Sequence, residues 1–277
     1  MSNKNEQPIG IFDSGVGGLT VLSALKTALP NESFLYLGDT AHLPYGTKSP
    51  EAVIHYAQQA SQTLVDRSVK MLVVACNTAS TIALETIEAT YPHLPVIGVL
   101  KPGAQAAVAA SKTGDIAVIA TEATVRSGGY QAAIQALNPS ARVRAMSASV
   151  LVALAEEGWV NGDVTQAALA RYLSPLLAPN ETFDPDCLLL GCTHFPVFLD
   201  AIKAVVGQRN IAVIDPAQRI AKTLEETLLE KNLVCRTGMP KYQFLVTDAP
   251  DRFAQVAQRF LADERAAFPV ELIHLAR

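Results

Sequence analysis

Eight short apolar runs punctuate the chain: IGIF (9–12), FLYL (34–37), MLVVA (71–75), VIGVL (96–100), IAVIA (116–120), VRAMSA (143–148), CLLLG (187–191) and IAVID (211–215). Longer stretches with apolar residues at helical spacing separate most of them, among them 18–29, 51–67 and 78–90. Strand, helix, strand, repeated in this way, predicts an α/β fold with mainly parallel sheets flanked by helices. The runs are continuous rather than alternating, which is how strands buried on both faces read.

Two halves share a layout. IGIFDSG (9–15) and IAVIATEAT (116–124) are each a strand followed by small polar residues, and MLVVACNTA (71–79) and LLLGCTHFP (188–196) are each a strand, then Cys, then Thr. Asp13 and Thr121 are 108 residues apart, Cys76 and Cys192 116. Two pseudo-symmetric α/β domains facing each other would bring both cysteines to one cleft, because ligands in open α/β sheets collect at the carboxyl ends of strands. Pro102 and Gly103 punctuate a boundary. The expected division is residues 1–100 plus 211–277 for the first domain and 101–210 for the second. Segment 235–277 carries no readable motif.

Composition narrows the class. The chain has 277 residues, 22 basic against 26 acidic for a net charge of −4, with 16 Gly and 16 Pro, so a disordered or low-complexity chain is excluded. No run of Lys and Arg offers a nucleic-acid surface, and no apolar window is long enough to span a membrane. The polar N-terminus runs straight into a strand without a signal-peptide pattern, so a cytoplasmic protein with reduced cysteines is expected.

Of the four cysteines, Cys187 and Cys235 sit in apolar settings that suit packing. Cys76 and Cys192 each follow an apolar run and precede hydroxyl and amide side chains. A helix start at Cys76 would favour its thiolate. His194, two residues beyond Cys192, is placed to relay a proton. The spacing C-x4-C-x-H of Cys187, Cys192 and His194 matches no common zinc pattern, so no metal is expected. DSGVGG (13–18) offers glycines and main-chain N–H groups at a helix start, but Thr20 stands where a dinucleotide fingerprint needs its third Gly. GDTAHLPYG (38–46) reads as a loop. Two thiols in matched contexts suit paired acid–base chemistry, a base on one face of a stereocentre and an acid on the other. A Cys–His nucleophile would leave the second cysteine unexplained.

Together FDSGVGGLTVL, LGDTAHLPYG, VVACNTAS and LLGCTHFP resemble the signatures of the cofactor-independent glutamate racemases, in that family's order, and TEATVRSGGY and ALAEEG look like two further family segments. The resemblance runs from about residue 8 to residue 220. It implies two pseudo-symmetric α/β domains with the active site between them, no cofactor and no metal. It also implies interconversion of L- and D-glutamate, a role in peptidoglycan supply, and a homodimer. Cys76 would act on D-glutamate and Cys192 on L-glutamate, supported by Asp13 and His194. Asp13, Ser14, Tyr45, Gly46, Asn77, Thr78, Thr121, Thr193 and His194 would hold the substrate, and Glu156 matches a supporting glutamate. The preceding SASVLVAL lacks the Cys-Pro that many relatives carry there.

These motifs contain no Lys or Arg although glutamate brings two carboxylates, so hydroxyls and main-chain amides are expected to bind them while Asp13 meets the ammonium. The alternatives are an aspartate racemase of the same superfamily, a pyridoxal phosphate enzyme using Lys101, and a non-catalytic binding protein on the same fold.

Overall fold

The apolar runs become the centres of two sheets in the computed structural model, which describes residues 4–236, 239–261 and 269–275. The described strands are β1 (Ile9–Asp13), β2 (Phe34–Gly38), β3 (Met71–Val74), β4 (Val96–Gly98), β5 (Asp115–Ala120), β6 (Arg142–Ser147), β7 (Cys187–Gly191), β8 (Ala212–Ile214), β9 (Tyr242–Val246) and β10 (Val270–Leu272). The helices are α1 (Leu19–Ala28), α2 (Pro50–Asp66), α3 (Asn77–Ile82), α4 (Leu84–Thr90), α5 (Leu100–Ala110) and α6 (Glu122–Ser127). They continue with α7 (Gly129–Leu137), α8 (Val150–Glu157), α9 (Asp163–Leu177), α10 (Leu199–Val206), α11 (Ala217–Glu230) and α12 (Pro250–Leu261).

The first sheet has the order β10-β9-β2-β1-β3-β4 and the second β6-β5-β7-β8; every pairing in both is parallel. The pseudo-symmetry is a topological fact: β2-β1-β3-β4 in one sheet corresponds to β6-β5-β7-β8 in the other. In each, the chain leaves the first strand of the half towards one neighbour and returns on its other side. This reversal opens a crevice at the carboxyl ends of β1 and β3, and of β5 and β7.

Strands β1, β2, β3, β5 and β7 are buried at every position. Ile9 and Ile11 of β1, Ala117 and Ile119 of β5, and residues of α1, α8, α9, α11 and α12 join one continuous apolar cluster between the sheets. Smaller clusters fill the outer faces, under α2 in the first half and under α5 and α7 in the second.

The expected boundary at 211 moves. β8 pairs in register with β7 (Cys187 with Ala212, Leu189 with Ile214), so this run stays in the second sheet, as the counterpart of β4. The chain returns only with α11, which packs on both α1 and α5. Segment 235–277, unreadable in the sequence, supplies β9 and β10 to the first sheet and α12 to its inner face. Stretch 78–90 is two helices rather than one, meeting at Ala83. Ser80 Oγ donates to Val74 O (2.7 Å) and accepts from Val99 N–H (3.0 Å), and Thr81 Oγ1 donates to Asn77 O (2.8 Å). Such side-chain bonds compete with the helical ladder and bend it.

Candidate active site

Both crevices open into one narrow cleft, lined by Ser14, Gly15, Tyr45, Gly46, Cys76, Asn77 and Thr78 from the first half, with Thr121, Glu156, Cys192, Thr193 and His194 from the second. Leu43, Pro44 and Val152 complete it with apolar surface. Among the described residues, no Lys or Arg lines it.

Cys76 follows β3 and caps α3. Its Sγ accepts the Ala79 N–H (3.5 Å), and its thiol donates to Ser14 Oγ (3.6 Å). Burial and the charge of Asp13 outweigh these bonds and push the thiol up to about 12. The expectation that a helix start would favour the Cys76 thiolate is therefore reversed: α3 has only six residues, and its end lies inside a closed site beside a carboxylate. Asp13 ends β1. Its Oδ2 accepts the Gly15 N–H (3.0 Å), while Oδ1 is buried without a partner among the described residues. Burial raises the Asp13 carboxyl above its ordinary value, against the pull of His194 and nearby main-chain N–H groups.

The second thiol has different company. Cys192 Sγ lies 3.8 Å from His194 Nδ1, and His194 Nε2 lies 3.2 Å from Glu156 Oε1. The imidazole also meets the edge of Phe260 on α12, with centroids 5.5 Å apart. Burial disfavours the imidazolium, but the bonds to Cys192 and Glu156 and the charges of Cys192 and Asp13 prevail and push His194 up to about 10. One thiol is thus held protonated, and the other faces a cation.

The halves touch at four further places. Thr78 Oγ1 lies 2.9 Å from Thr121 Oγ1 and 3.1 Å from Thr124 Oγ1, and the latter two are 2.9 Å apart. The Tyr130 hydroxyl donates to Asn77 Oδ1 (2.5 Å). Thr20, the residue that breaks the dinucleotide fingerprint, donates to Thr193 O across the cleft (3.1 Å). Gly46 packs so closely that a Cβ there would lie 2.5 Å from the Thr121 Cβ.

Every site residue named from the sequence lies at this cleft, Asp13 just behind its surface. Tyr45 departs from the expected form: its ring is wholly buried and its hydroxyl donates to Asp39 Oδ2 (2.6 Å), so what it can offer a ligand is its main chain. Lys101 is exposed at the start of α5, remote in character from a buried Schiff-base amine. Sequence reasoning did not single out Thr124, Tyr130, Leu43, Val152 or α12. The first two lie in TEATVRSGGY, where a signal was present but pointed to no role; α12 shows only its helical amphipathicity.

The fold and site define a class: two pseudo-symmetric α/β halves, each presenting a thiol to a shared, charge-poor cleft. A family profile described as Asp/Glu/Hydantoin racemase matches residues 16–224. A glutamate racemase of Geobacter metallireducens is 43% identical over 254 residues, covering 91% of this chain and 92% of that one. Among solved structures, glutamate racemase from Francisella tularensis in complex with D-glutamate superposes with a TM-score of 0.89 at 35% identity, covering 98% of each chain. A glutamate racemase isoform of Bacillus anthracis gives 0.91 at 33%, again covering 98% of each. The chain belongs to the Asp/Glu/Hydantoin racemase family, a family of amino-acid isomerases.

Proposed function

We propose that the protein interconverts L- and D-glutamate without a cofactor, using Cys192 and Cys76 on opposite faces of the α-carbon. The carrying observation is that thiols from corresponding strand ends of the two halves line one cleft. In the L-to-D direction the Cys192 thiolate takes the α-proton: an S–H bond forms, the C–H bond breaks, and the electron pair spreads into the α-carboxylate. Cys76 then gives its proton to the opposite face and becomes the thiolate. The reverse reaction exchanges these roles. The resting environments suit the first direction, with Cys76 held as a thiol and Cys192 beside the His194 cation.

The α-proton is far less acidic than any thiol, so the carbanion needs fixed dipoles aimed at the carboxylate. Ser14, Asn77, Thr78, Thr121 and Thr193 offer hydroxyl and amide groups for this, and Gly46 and Tyr45 their main chain. Asp13, with one carboxylate oxygen unsatisfied, would meet the ammonium, and Glu156 would hold His194. Relatives at 39–43% identity are glutamate racemases, which favours glutamate over aspartate. The likeness to a Picrophilus torridus aspartate racemase, at 18% identity, speaks to the fold alone.

Racemisation of each enantiomer in deuterated water, with Cys76→Ser and Cys192→Ser beside the wild type, tests this reading. Solvent deuterium at Cα and loss of turnover in both variants are expected; turnover that survives removal of either thiol overturns it. The same assay with aspartate separates the substrates.

The proposal extends to D-glutamate supply for peptidoglycan, a cytoplasmic location and a homodimer. All four cysteines are free, in keeping with a reducing compartment, and no described helix is long and apolar enough to cross a membrane. Val150, Trp159 and Val164, each more than half exposed, bracket α8 and open α9 and are apolar surface available to a second copy. Light scattering at enzyme concentration reads the dimer directly. We also divide the chain into residues up to about 100 plus those from α11 onward, and the α5–β8 segment between them.

A further inference from the structure

We propose that Tyr130 is a positioning residue for the cleft: its hydroxyl locks the side-chain amide of Asn77 so that the NH2 group, and not the carbonyl, faces the substrate's carboxylate.

Asn77 opens α3 directly after Cys76, in the first half of the molecule, and Tyr130 stands on α7 in the second. The hydroxyl donates to Asn77 Oδ1 at 2.5 Å, and both side chains are buried, Asn77 keeping only its edge on the cleft. An asparagine amide presents an acceptor on one side and two donors on the other, and the partner of one side decides which the ligand meets. With Oδ1 engaged, Nδ2 has no partner among the described residues. The 2.5 Å separation is an O–H···O distance, shorter than an N–H···O contact, so the phenol donates and the amide carbonyl accepts.

Two glycines hold the ring in place. A Cβ on Gly191, at the end of β7, would lie 2.9 Å from Tyr130 Cε2, and one on Gly103, within α5, 3.1 Å from the Tyr130 hydroxyl. Gly103 is a helix-interior glycine, a position where glycine is ordinarily less stable than alanine. Here it leaves the slot through which the hydroxyl reaches Asn77. The orientation matters because, among the described residues, no Lys or Arg lines the cleft. His194, the cation that lines the cleft, is engaged by Cys192 and Glu156, so the substrate's carboxylates rely on neutral donors, and a reversed amide would set a carbonyl oxygen against one of them.

Tyr130→Phe removes the hydroxyl and keeps the ring. The expected result is a KM for both glutamate enantiomers raised about tenfold, the worth of one hydrogen bond, with kcat within about threefold and an unchanged melting temperature. Asn77→Ala raises KM at least as much, and adding Tyr130→Phe to it changes nothing further, because the hydroxyl acts only through the amide. A wild-type KM in Tyr130→Phe, or additive effects in the double variant, overturns the proposal. Should Tyr130→Phe fail to fold, Asn77→Asp decides. It keeps the acceptor for Tyr130 but turns a second acceptor to the substrate, so its KM must exceed that of Asn77→Ala, and equal values overturn the proposal. This inference rests on the reading of the cleft as a glutamate site. Absence of wild-type glutamate turnover overturns that reading, whereas normal wild-type turnover with an unaltered Tyr130→Phe overturns only the role of Tyr130.

Discussion

Gly17 is the point where the first half presses on the Cys192 side of the cleft, and replacing it with alanine isolates that contact. A Cβ at residue 17 would lie 2.4 Å from His194 Nδ1 and 2.5 Å from Thr193 Oγ1, whereas ordinary contact begins at 3.4 Å. The imidazole must therefore retreat by about 1 Å, the difference between those two distances. It has little room to do so, since Glu156 holds Nε2 and Phe260 meets its edge. Nδ1 is the atom that faces the Cys192 sulfur, so the retreat is paid in the thiol–imidazole geometry. A displacement of about 1 Å at a reacting group costs on the order of 100-fold in rate, or about 2.7 kcal/mol of barrier. The backbone of Gly17 lies outside the left-handed region, so alanine is conformationally allowed, and the cost in stability is that of overpacking, about 1–3 kcal/mol. Circular dichroism of racemisation from each enantiomer reads kcat and KM, and a thermal melt reads the fold. The expected variant folds, melts below the wild type by no more than that cost, and turns over roughly 100-fold more slowly. A Gly17→Ala protein with normal melting and kcat within threefold of wild type refutes the reasoning, because the crowded imidazole would then be irrelevant to the rate.

Three further outcomes follow from other parts of the structure. Lys70 is fully buried and donates to Glu32 Oε2 (2.5 Å), Asn5 O (2.7 Å) and Leu233 O (2.8 Å). Lys70→Met strands a buried carboxylate, at a cost of roughly 3–5 kcal/mol and a fall in Tm of about 6–20 °C. Adding Glu32→Gln should restore most of it, and an unshifted single variant contradicts the account. His194 is raised from 6.5 to about 10 on folding, so its stabilising contribution is complete below pH 6.5 and is lost as the pH climbs through 10. Denaturation curves of wild type and His194→Gln should converge at the alkaline end, and curves that separate there count against the Cys192–His194–Glu156 pairing. Ser14→Ala and Thr193→Ala should each raise KM by about 10- to 100-fold if their hydroxyls meet carboxylates; two unchanged KM values sink the idea of a site built from neutral donors.

The parts of the fold legible in the sequence are those whose signal is local. Runs such as IAVIA and CLLLG are buried at every position because neighbouring parallel strands and helices cover both faces, and continuous apolar residues record this directly. β9 and β10 were not legible for the opposite reason. Tyr242 and Gln243 are not buried, and two of the three residues of β10 are exposed, so β9 owes its existence to the edge that β2 offers, and β10 to the edge that β9 offers, rather than to their own pattern. The boundary at 211 failed in the same way: IAVID reads as a strand, but only its pairing with β7 says which sheet it joins. Within the site, the two cysteines and their polar followers were visible as matched motifs. Tyr130 and Phe260 were not, because an aromatic residue in a helix reads as core until its partner, Asn77 or His194, is known from far along the chain.

That dependence on distant partners also explains why two motifs that look alike are not equivalent. ACNT and GCTH each place a cysteine just past a parallel strand, and strand order alone brings both to a switch crevice. From there the surroundings diverge. Cys76 meets Ser14 and the buried charge of Asp13, both carried by the neighbouring β1 and the loop after it, and is held as a thiol. Cys192 meets a histidine two residues on, and that histidine is held by Glu156 of α8 and walled by Phe260 of α12. In the proposed two-base reaction this inequality favours the state in which Cys76 carries the proton, the state from which L-glutamate is turned over. The C-terminal helix, the element with the least readable sequence, is therefore part of what breaks the symmetry. Loss of its Phe260 contact should loosen the Cys192 half of the cleft while leaving the Cys76 half intact.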